Sequence, residues 1–297
     1  MTSMPSKPNM LDALGLISRL RRAPEEHKGH AGKVILVGGS TGMAGALLLA
    51  GNACLHLGAG WTILEMLDPA SAHAAHEQPE LMIRPANTNP VQSLKQDLPD
   101  VLAIGPGLGS SHLAKQWLNT CLLYANIPLV IDADGLNLIA DSTELLSVLQ
   151  VRNQQYPGQT VLTPHPGEAA RLLGQSTSDI QADRVSAIKK LVSLTQSIVI
   201  LKGQCTLITA PDRDILQCEQ GNPGMGTGGM GDVLTGSISA IAAQGLRHHL
   251  NLWEACCIAV ELHALAADSL VANGIGPIGL TPSETILEMR YLLNKHI

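Results

Sequence analysis

The chain has 297 residues, of which 45% are hydrophobic and only 2% aromatic, and it contains no phenylalanine. Its core must therefore be built from Leu, Ile, Val, Ala and Met. So few aromatic side chains argue against a stacking platform for single-stranded nucleic acid, and the net charge of −6 argues against a polyanionic partner. A single nucleotide is not excluded, because it needs only a local anion pocket.

The cysteines and the apolar segments indicate the compartment. None of the six cysteines forms a CxxC pair or a zinc-binding spacing, which predicts buried, reduced thiols: Cys54, Cys121, Cys205, Cys218, Cys256 and Cys257. The N-terminal residues lack the apolar core and cleavage site of a signal peptide. We judge no stretch of about 18 residues apolar enough to span a bilayer. The sequence therefore predicts a cytoplasmic protein with neither a membrane nor a nucleic-acid partner.

In chain order, a polar start and a first helix over residues 10–22 precede a regular alternation of strands and helices. Strands are predicted over 33–37, 61–66, 81–83, 100–104, 127–131, 160–163, 198–201, 207–209 and 215–218. Helices are predicted over 43–57, 110–124, 179–195, 251–271 and 282–296. This alternation is typical of an α/β fold with a mostly parallel central sheet flanked by helices on both faces. We expect an N-terminal extension over 1–27 and one domain over 28–297.

Two glycine-rich turns follow predicted strands. The first runs from Gly38 to Gly42 and the second from Gly105 to Gly109. Turns at the carboxyl edge of a parallel sheet often border a ligand. Close packing of helix on sheet would explain the first equally well, and a simple turn before a helix would explain the second.

Charged side chains follow the later strands. Asp132 and Asp134 suit a magnesium ion with its water shell, or a helix N-cap with a solvated neighbour. His165 lies between two prolines on a rigid turn, and Glu168 falls in the first turn of the next helix. Lys202 ends a strand and suits either a nucleotide phosphate or the solvent. On a later helix, His263 is predicted to be a hydrogen-bonded packing residue.

The densest glycine cluster is Gly226-Thr227-Gly228-Gly229-Met230-Gly231-Asp232, which directly precedes an apolar helix. A glycine turn at a helix start lets backbone N–H groups and the helix dipole converge on an anion, so a phosphate is the expected guest. Asp232 is then either an N-cap or a base aimed at the ligand. A phosphoryl group transferred to a hydroxyl would use both the N–H groups and the carboxylate.

Six motifs in order resemble one family, the ADP-dependent NAD(P)H-hydrate dehydratases, which are carbohydrate-kinase-like proteins with a ribokinase-like fold. The resemblance extends over roughly residues 28–286. It rests on Gly42-Met-Ala-Gly-Ala46, Gly105-Pro-Gly-Leu-Gly109, Asp132-Ala-Asp134, Thr163-Pro-His-Pro-Gly-Glu168, Lys202-Gly-Gln-Cys-Thr206 and the Gly226–Asp232 cluster.

The resemblance implies a repair lyase that uses ADP and Mg²⁺ to expel water from the S-form hydrate of NADH or NADPH, releasing AMP and phosphate. Asp232 would contact the hydrate and act as the base. The other implied hydrate contacts are Ala46, Gly107, Gly109 and His165. The implied nucleotide contacts are Lys202, Gly203, Gln204, Cys205, Thr206 and Gly231, with residues 226–231 as the phosphate loop. No dedicated metal ligands are implied.

The sequence departs from the family pattern at Ala44, Gly135 and Met230, and Met230 bears on the loop geometry. Some relatives carry a preceding epimerase domain, which we do not expect here. The resemblance also implies a homo-oligomer such as a tetramer. Two other functions stay open: an ATP-dependent kinase of a small alcohol or vitamin precursor on the same fold, and a nucleotide sensor without turnover.

Overall fold

A ten-stranded mixed sheet organises the part of the chain that the computed structural model describes, residues 8–74 and 78–297. The strands are short and nearly all apolar, as expected for strands covered on both faces. They are β1 (Asn9–Met10), β2 (Lys33–Gly38), β3 (Trp61–Met66), β4 (Met82–Pro85), β5 (Val101–Ile104), β6 (Leu129–Ile131), β7 (Thr160–Leu162), β8 (Ile198–Leu201), β9 (Thr206–Thr209) and β10 (Leu216–Cys218).

Twelve α-helices join these strands within the described ranges. They are α1 (Ala44–His56), α2 (Pro69–Ala72), α3 (Pro90–Asp97), α4 (His112–Leu123), α5 (Ala133–Ala140), α6 (Thr143–Gln155), α7 (Pro166–Leu173), α8 (Thr177–Ala182), α9 (Arg184–Thr195), α10 (Met230–His248), α11 (Leu252–Ala272) and α12 (Pro282–Lys295). Short 3₁₀ helices cover Leu14–Leu20, Lys28–His30 and Pro223–Gly226.

The strand order is β1-β10-β9-β8-β7-β6-β5-β2-β3-β4, and the pairs from β8 through to β4 are all parallel. The chain runs outward from β2 to β4, then crosses to β5 on the other side of β2. The turns after β2 and β5 therefore lie side by side at the carboxyl edge, at the point where the winding reverses. Such a switch point is where open α/β sheets bind ligands.

Two apolar layers hold the helices on the sheet. One face packs α1, α10, α11 and α12, and the other packs α4 to α9. The helices α1 and α10 approach so closely that a Cβ atom at Gly236 would collide with the backbone carbonyl of Ala50. The predicted α/β architecture, with helices on both faces of a mostly parallel sheet, is confirmed.

The first predicted helix is wrong. Asn9–Met10 pairs in parallel with β10, and only Leu14–Leu20 is helical, as a 3₁₀ helix. The buried side chains Ile17 and Leu20 follow the spacing of such a helix. Pairing with the sheet edge competes with helix formation at this end of the segment, and a pattern of apolar residues does not reveal that competition.

The helix predicted over 179–195 is two helices that meet at Asp183. The Asp183 backbone is not helical, and its carboxylate accepts a hydrogen bond from the Ser186 N–H, which starts α9 anew. Local side-chain bonding of this kind offers the backbone an alternative to a continuous helix. Lys189 and Lys190 of α9 are exposed.

The judgement that no segment is apolar enough to cross a membrane is also wrong by length and composition. Leu252–Ala272 has a mean hydropathy of 1.6 in an 18-residue window, but 72% of that window is buried within the protein. A buried core helix passes the same test as a membrane span. The packing of α11 against α10 and α12 accounts for its apolar character.

Candidate functional site

The glycine cluster forms an open loop at the start of α10. Gly229 is the N-cap residue and has a φ of 100°, a left-handed conformation that suits glycine. The backbone N–H groups of Gly228, Gly229, Gly231 and Asp232 find no acceptor in the described part of the chain. Nothing lies within 4 Å of the positions where Cβ atoms of Gly226 and Gly228 would be. Free donors and open space together make this loop suitable for an anion.

Asp232 is the third residue of α10, so its interpretation as an N-cap is wrong. No donor among the described residues forms a hydrogen bond with its carboxylate. Burial, with a further contribution from Asp132, raises the pKa of Asp232 to about 7, although Lys202 opposes that shift. A carboxyl group with a pKa near neutrality, and with no donor occupying it, is well matched to proton transfer.

Asp132 has the opposite surroundings. It is 1% exposed and accepts three hydrogen bonds: from Lys202 Nζ at 2.7 Å, Thr163 Oγ1 at 2.7 Å and Thr235 Oγ1 at 3.0 Å. It occupies the N-cap position of α5 but makes no side-chain cap. The next residue, Ala133, has a left-handed φ of 46°, which costs a residue with a Cβ atom about 1 kcal/mol.

Lys202 is not the surface lysine that the sequence allowed. Its side chain is 18% exposed, and its ammonium lies 2.7 Å from Asp132 Oδ1 and 3.9 Å from Glu168 Oε2. Burial alone would lower the pKa of Lys202, but Asp132 and Glu168 raise it. A Cβ atom on Gly231 would lie 3.1 Å from Nζ. The cation therefore lies against the glycine loop, one residue before Asp232.

His165 caps α7 and packs on Glu168. Its Nδ1 accepts the N–H groups of Gly167 at 2.9 Å and Glu168 at 3.3 Å, while Glu168 Oε2 accepts the His165 N–H at 2.7 Å. A neutral ring must then carry its proton on Nε2, which lies 3.3 Å from Glu168 Oε1. Burial and Lys202 lower the pKa of His165, and burial raises that of Glu168 to about 7. His165 thus offers a donor, not a free base.

The turns after β2 and β5 form the other side of the site. Gly39 N–H bonds Pro106 O at 3.0 Å, and Ser40 N–H bonds Gly107 O at 2.6 Å. A Cβ atom on Gly107 would lie 3.3 Å from Ala46 Cβ, so these two predicted hydrate contacts are neighbours.

This second side is joined to the charged cluster by Asp134. The Gly109 N–H donates to Asp134 Oδ2 at 2.8 Å. Asp132 and Asp134, two residues apart, thus serve different partners instead of forming a pair. Within the described residues, no group of three or more His, Cys, Asp or Glu side chains is placed to hold a metal ion.

Sequence reasoning missed how the charged groups meet. Asp132 and Lys202 were each predicted at the end of a strand, but no contact between them was predicted, and nothing in the pattern indicated that Thr235, on α10, would complete the cluster. The departure at Met230 has a structural explanation, because its side chain is buried against Ala267, Leu270 and Leu280.

His263 is buried as a packing residue, but no hydrogen bond of its ring is found within the described residues. Its Nε2 is buried and has no partner among the described residues. Burial, together with Lys202, lowers the pKa of His263 to about 4. The ring is therefore neutral near neutral pH.

A mostly parallel sheet with a glycine-rich loop, a carboxylate without a hydrogen-bond donor and a buried lysine at its carboxyl edge is typical of the class of ribokinase-like proteins. A family model described as NAD(P)H-hydrate dehydratase matches residues 34–287. The chain belongs to this family, as the motif resemblance predicted.

Two curated relatives illustrate the match. The chain is 36% identical over 277 residues to the ADP-dependent (S)-NAD(P)H-hydrate dehydratase of Neisseria meningitidis, covering 92% of this chain and 89% of the relative. It is 39% identical over 279 residues to the bifunctional NAD(P)H-hydrate repair enzyme Nnr of Coxiella burnetii, covering 92% of this chain and 53% of that relative. The chain thus spans about half the length of the bifunctional relatives it matches.

Solved structures agree on the fold. The ADP/ATP-dependent NAD(P)H-hydrate dehydratase of Bacillus subtilis, co-crystallised with ATP and Mg²⁺, superposes with a TM-score of 0.82 at 26% identity and covers 99% of this chain and all of that one. A ribokinase-like superfamily protein of Enterococcus faecalis gives 0.75 at 26% identity, with 94% of each chain covered. The predicted ribokinase-like fold is confirmed.

Proposed function

We propose that the chain is an ADP-dependent (S)-NAD(P)H-hydrate dehydratase, a lyase that restores NADH or NADPH from its hydrate and releases AMP and phosphate. The observation that carries the proposal is the pairing of an unoccupied carboxylate, Asp232, with a row of free backbone N–H groups at the start of α10. The family membership and the ADP-dependent relative support this choice over other phosphoryl transfers.

In the first half of the proposed reaction, the Asp232 carboxylate takes the proton of the hydrate hydroxyl. The hydroxyl oxygen attacks the β-phosphorus of ADP, and AMP leaves with the electron pair of the broken P–O bond. The N–H groups of Gly228, Gly229, Gly231 and Asp232 hold the phosphoryl oxygens while charge moves across them. Lys202, which Asp132 keeps in place, adds a positive charge beside the loop.

In the second half, the new phosphate ester leaves the ring with the electron pair of the C–O bond. The neighbouring ring carbon loses a proton to the departing phosphate, and the double bond returns. Protonated Asp232 is placed to return its proton to the departing phosphate, which fits a pKa near 7. His165 Nε2 carries a proton and lies beside Glu168 at the start of α7. We propose that both side chains border the hydrate together with Ala46, Gly107 and Gly109.

We propose that Mg²⁺ arrives with the nucleotide and is held by the phosphates and water, since the described residues offer no three-ligand cage. The Glu168 carboxylate, which faces Lys202, can accept hydrogen bonds from such a water shell. When bound, the ion neutralises phosphate charge. The structure of the Bacillus protein with ATP and Mg²⁺ supports this part of the proposal.

The test is recovery of near-ultraviolet absorbance from hydrated NADH in the presence of Mg²⁺ and ADP, ATP or no nucleotide. We expect recovery that requires ADP and releases phosphate in equal amount. Recovery with ATP alone would support the dehydration reaction but make ATP, and not ADP, the phosphoryl donor. Folded protein that binds nucleotide but restores no absorbance would contradict the proposal and favour the alternative of a small-alcohol kinase.

Three further parts of the proposal await their own measurements. We propose that NADH hydrate and NADPH hydrate are both substrates, that the protein is cytoplasmic, and that it forms a homo-oligomer such as a tetramer. Competition between the two hydrates, cell fractionation and light scattering, respectively, address them.

A further inference from the structure

The hairpin loop between β8 and β9, residues 202–205, presents three unused donors. The N–H groups of Gly203, Gln204 and Cys205 have no acceptor among residues 8–74 and 78–297. Gly203 has a φ of 129° and Cys205 a left-handed φ of 54°. A loop in such an unfavourable conformation persists only when its surroundings hold it there.

Arg184 supplies much of that hold. Its Nη2 donates to the Leu201 carbonyl at 3.0 Å and its Nη1 donates to the Lys202 carbonyl at 3.2 Å. A Cβ atom on Gly203 would lie 2.9 Å from Nη1, so the guanidinium packs directly on that residue. The break between α8 and α9 at Asp183 makes Arg184 the first residue of α9 and brings it to this loop.

The carbonyl contacts fix where the N–H groups point. In a trans peptide the C=O and the following N–H point in opposite directions. Binding of the Lys202 carbonyl by Arg184 therefore directs the Gly203 N–H away from α9. Thr206 Oγ1 donates to the Gly203 carbonyl at 3.2 Å, which in the same way sets the direction of the Gln204 N–H.

We propose that Arg184 is a positioning residue of the nucleotide site: by holding the Leu201 and Lys202 carbonyls, it fixes the start of the loop and aims the Gly203 N–H at a phosphate oxygen of a nucleoside diphosphate. This inference rests on the function proposed above. The guanidinium acts through its forked geometry, because two carbonyls must be held at once. A lysine would keep the charge but cannot replace that fork.

The experiment compares Arg184→Gln and Arg184→Lys with the wild type by calorimetric titration with MgADP. Both variants are expected to bind about tenfold more weakly, which corresponds to the loss of one charge-assisted hydrogen-bond pair. The turnover rate at saturating ADP should stay within about threefold of the wild type, because the groups around Asp232 are untouched. A raised KM for ADP with little change in kcat distinguishes a positioning role from a general loss of folded enzyme.

Lys189→Gln is the matched control, since it removes one positive charge from the exposed side of the same helix. It should bind MgADP as the wild type does. Thr206→Val tests the same principle without the guanidinium: it frees the Gly203 carbonyl and should also weaken binding severalfold. Thermal melting of every variant checks the fold, and Arg184→Lys, which keeps the charge, decides the question if Arg184→Gln does not fold.

Weaker binding by Arg184→Lys, Arg184→Gln and Thr206→Val would support the inference. Wild-type affinity in Arg184→Lys would overturn it, because charge alone would then suffice. Undiminished affinity in all variants would overturn it too, while leaving the dehydratase proposal intact. A wild-type protein that binds no nucleotide would overturn both, and that result is visible before any variant is made.

Discussion

Two aspartates of the same site have opposite surroundings. Asp132 is almost fully buried, and its carboxylate accepts bonds from a lysine and two threonines. Asp232, near Lys202 at the start of α10, accepts no hydrogen bond from the described residues, and its pKa is raised to about 7. Donors stabilise a carboxylate and fix it in place, whereas burial without donors keeps a carboxyl group ready to exchange a proton.

The comparison assigns different tasks to two chemically identical side chains. Asp132 fixes Lys202 and ties β6, β7, β8 and α10 together, so its loss should damage the architecture of the site. Asp232 is held only by its helix, so its loss should damage the chemistry alone. Variants of the two aspartates and of their neighbours should therefore separate loss of structure from loss of chemistry.

The largest effect is expected for Asp232→Asn. Removal of the proposed base should lower kcat by about 1,000-fold, a change of about 4 kcal/mol in the activation free energy. ADP affinity should be unchanged or slightly higher, because a negative charge near the phosphates has been removed. Steady-state kinetics and calorimetry measure the two quantities.

The matched control is Glu254→Gln, which alters the carboxylate at the same third position of the next helix, α11, where it forms an ordinary capping box. Its activity should equal that of the wild type. Loss of ADP binding in Asp232→Asn would remove the contrast, since Asp232 would then be needed for structure as well.

Asp132→Ala should produce the largest loss of stability. It leaves the Lys202 ammonium and the Thr163 and Thr235 hydroxyls without their acceptor in a buried place. Breaking such a pair from one side costs about 3 kcal/mol. Urea unfolding measures this loss, with the exposed Asp141→Ala as control, for which we expect a change below about 0.5 kcal/mol. A variant as stable as the wild type would show that Asp132 is not the anchor.

The pH profile tests the free carboxyl group. The base must be ionised, so kcat/KM should fall about tenfold per pH unit below a pKa of about 7. The residual activity of Asp232→Asn should lack this acidic limb, which is the fall of kcat/KM at low pH. Because burial also raises the pKa of Glu168 to about 7, the wild-type limb reports the coupled pair. An unchanged limb in Asp232→Asn would assign it to Glu168.

The raised pKa values of Glu168 and Asp232 should also make the free energy of unfolding depend on pH. Between about pH 4 and pH 7 the folded protein binds more protons at Glu168 and Asp232 than the unfolded chain does. Their contribution to stability is therefore lost as the pH rises through this range. Replacing both side chains with their amides should flatten the profile in urea unfolding, and an unchanged slope would contradict the shifts.

The smallest effect is expected for Gly231→Ala. The new Cβ atom would lie 3.1 Å from Lys202 Nζ and 3.6 Å from Asp132 Oδ2, so the flexible ammonium must move by a few tenths of an ångström. We expect normal folding and a fall in kcat/KM of about fivefold, or about 1 kcal/mol. Gly15→Ala is the control, because no atom lies within 4 Å of its new Cβ. Wild-type kinetics would mean that the exact position of the ammonium is unimportant.

Much of the fold could be predicted because apolar runs and glycine turns are local signals. Strands β2, β3, β5 and β8 lie within one residue of their predicted limits. The failures share a cause. Residues 10–22 and 179–195 carry helical patterns, but a strand partner from β10 decides the first and a side-chain cap at Asp183 decides the second.

For the site, strand ends were a reliable guide because parallel strands bring their carboxyl ends to one edge. They marked the positions of Asp132, His165 and Lys202, although no contact between these residues was predicted. They could not distinguish a surface lysine from an ion-paired one, nor an N-cap from a free carboxylate. Those distinctions depend on solvent exclusion and on donors that lie far apart in the chain.

The sequence alone determined the α/β alternation, the glycine-rich loop ahead of α10 and, through its motifs, the family. Only the tertiary structure decided which aspartate is saturated with donors and which is free, and that Arg184 reaches the loop after β8. The physical reason is that glycine turns and strand periodicity are properties of neighbouring residues. A pKa or a positioned N–H, by contrast, depends on charges and carbonyls that folding brings together.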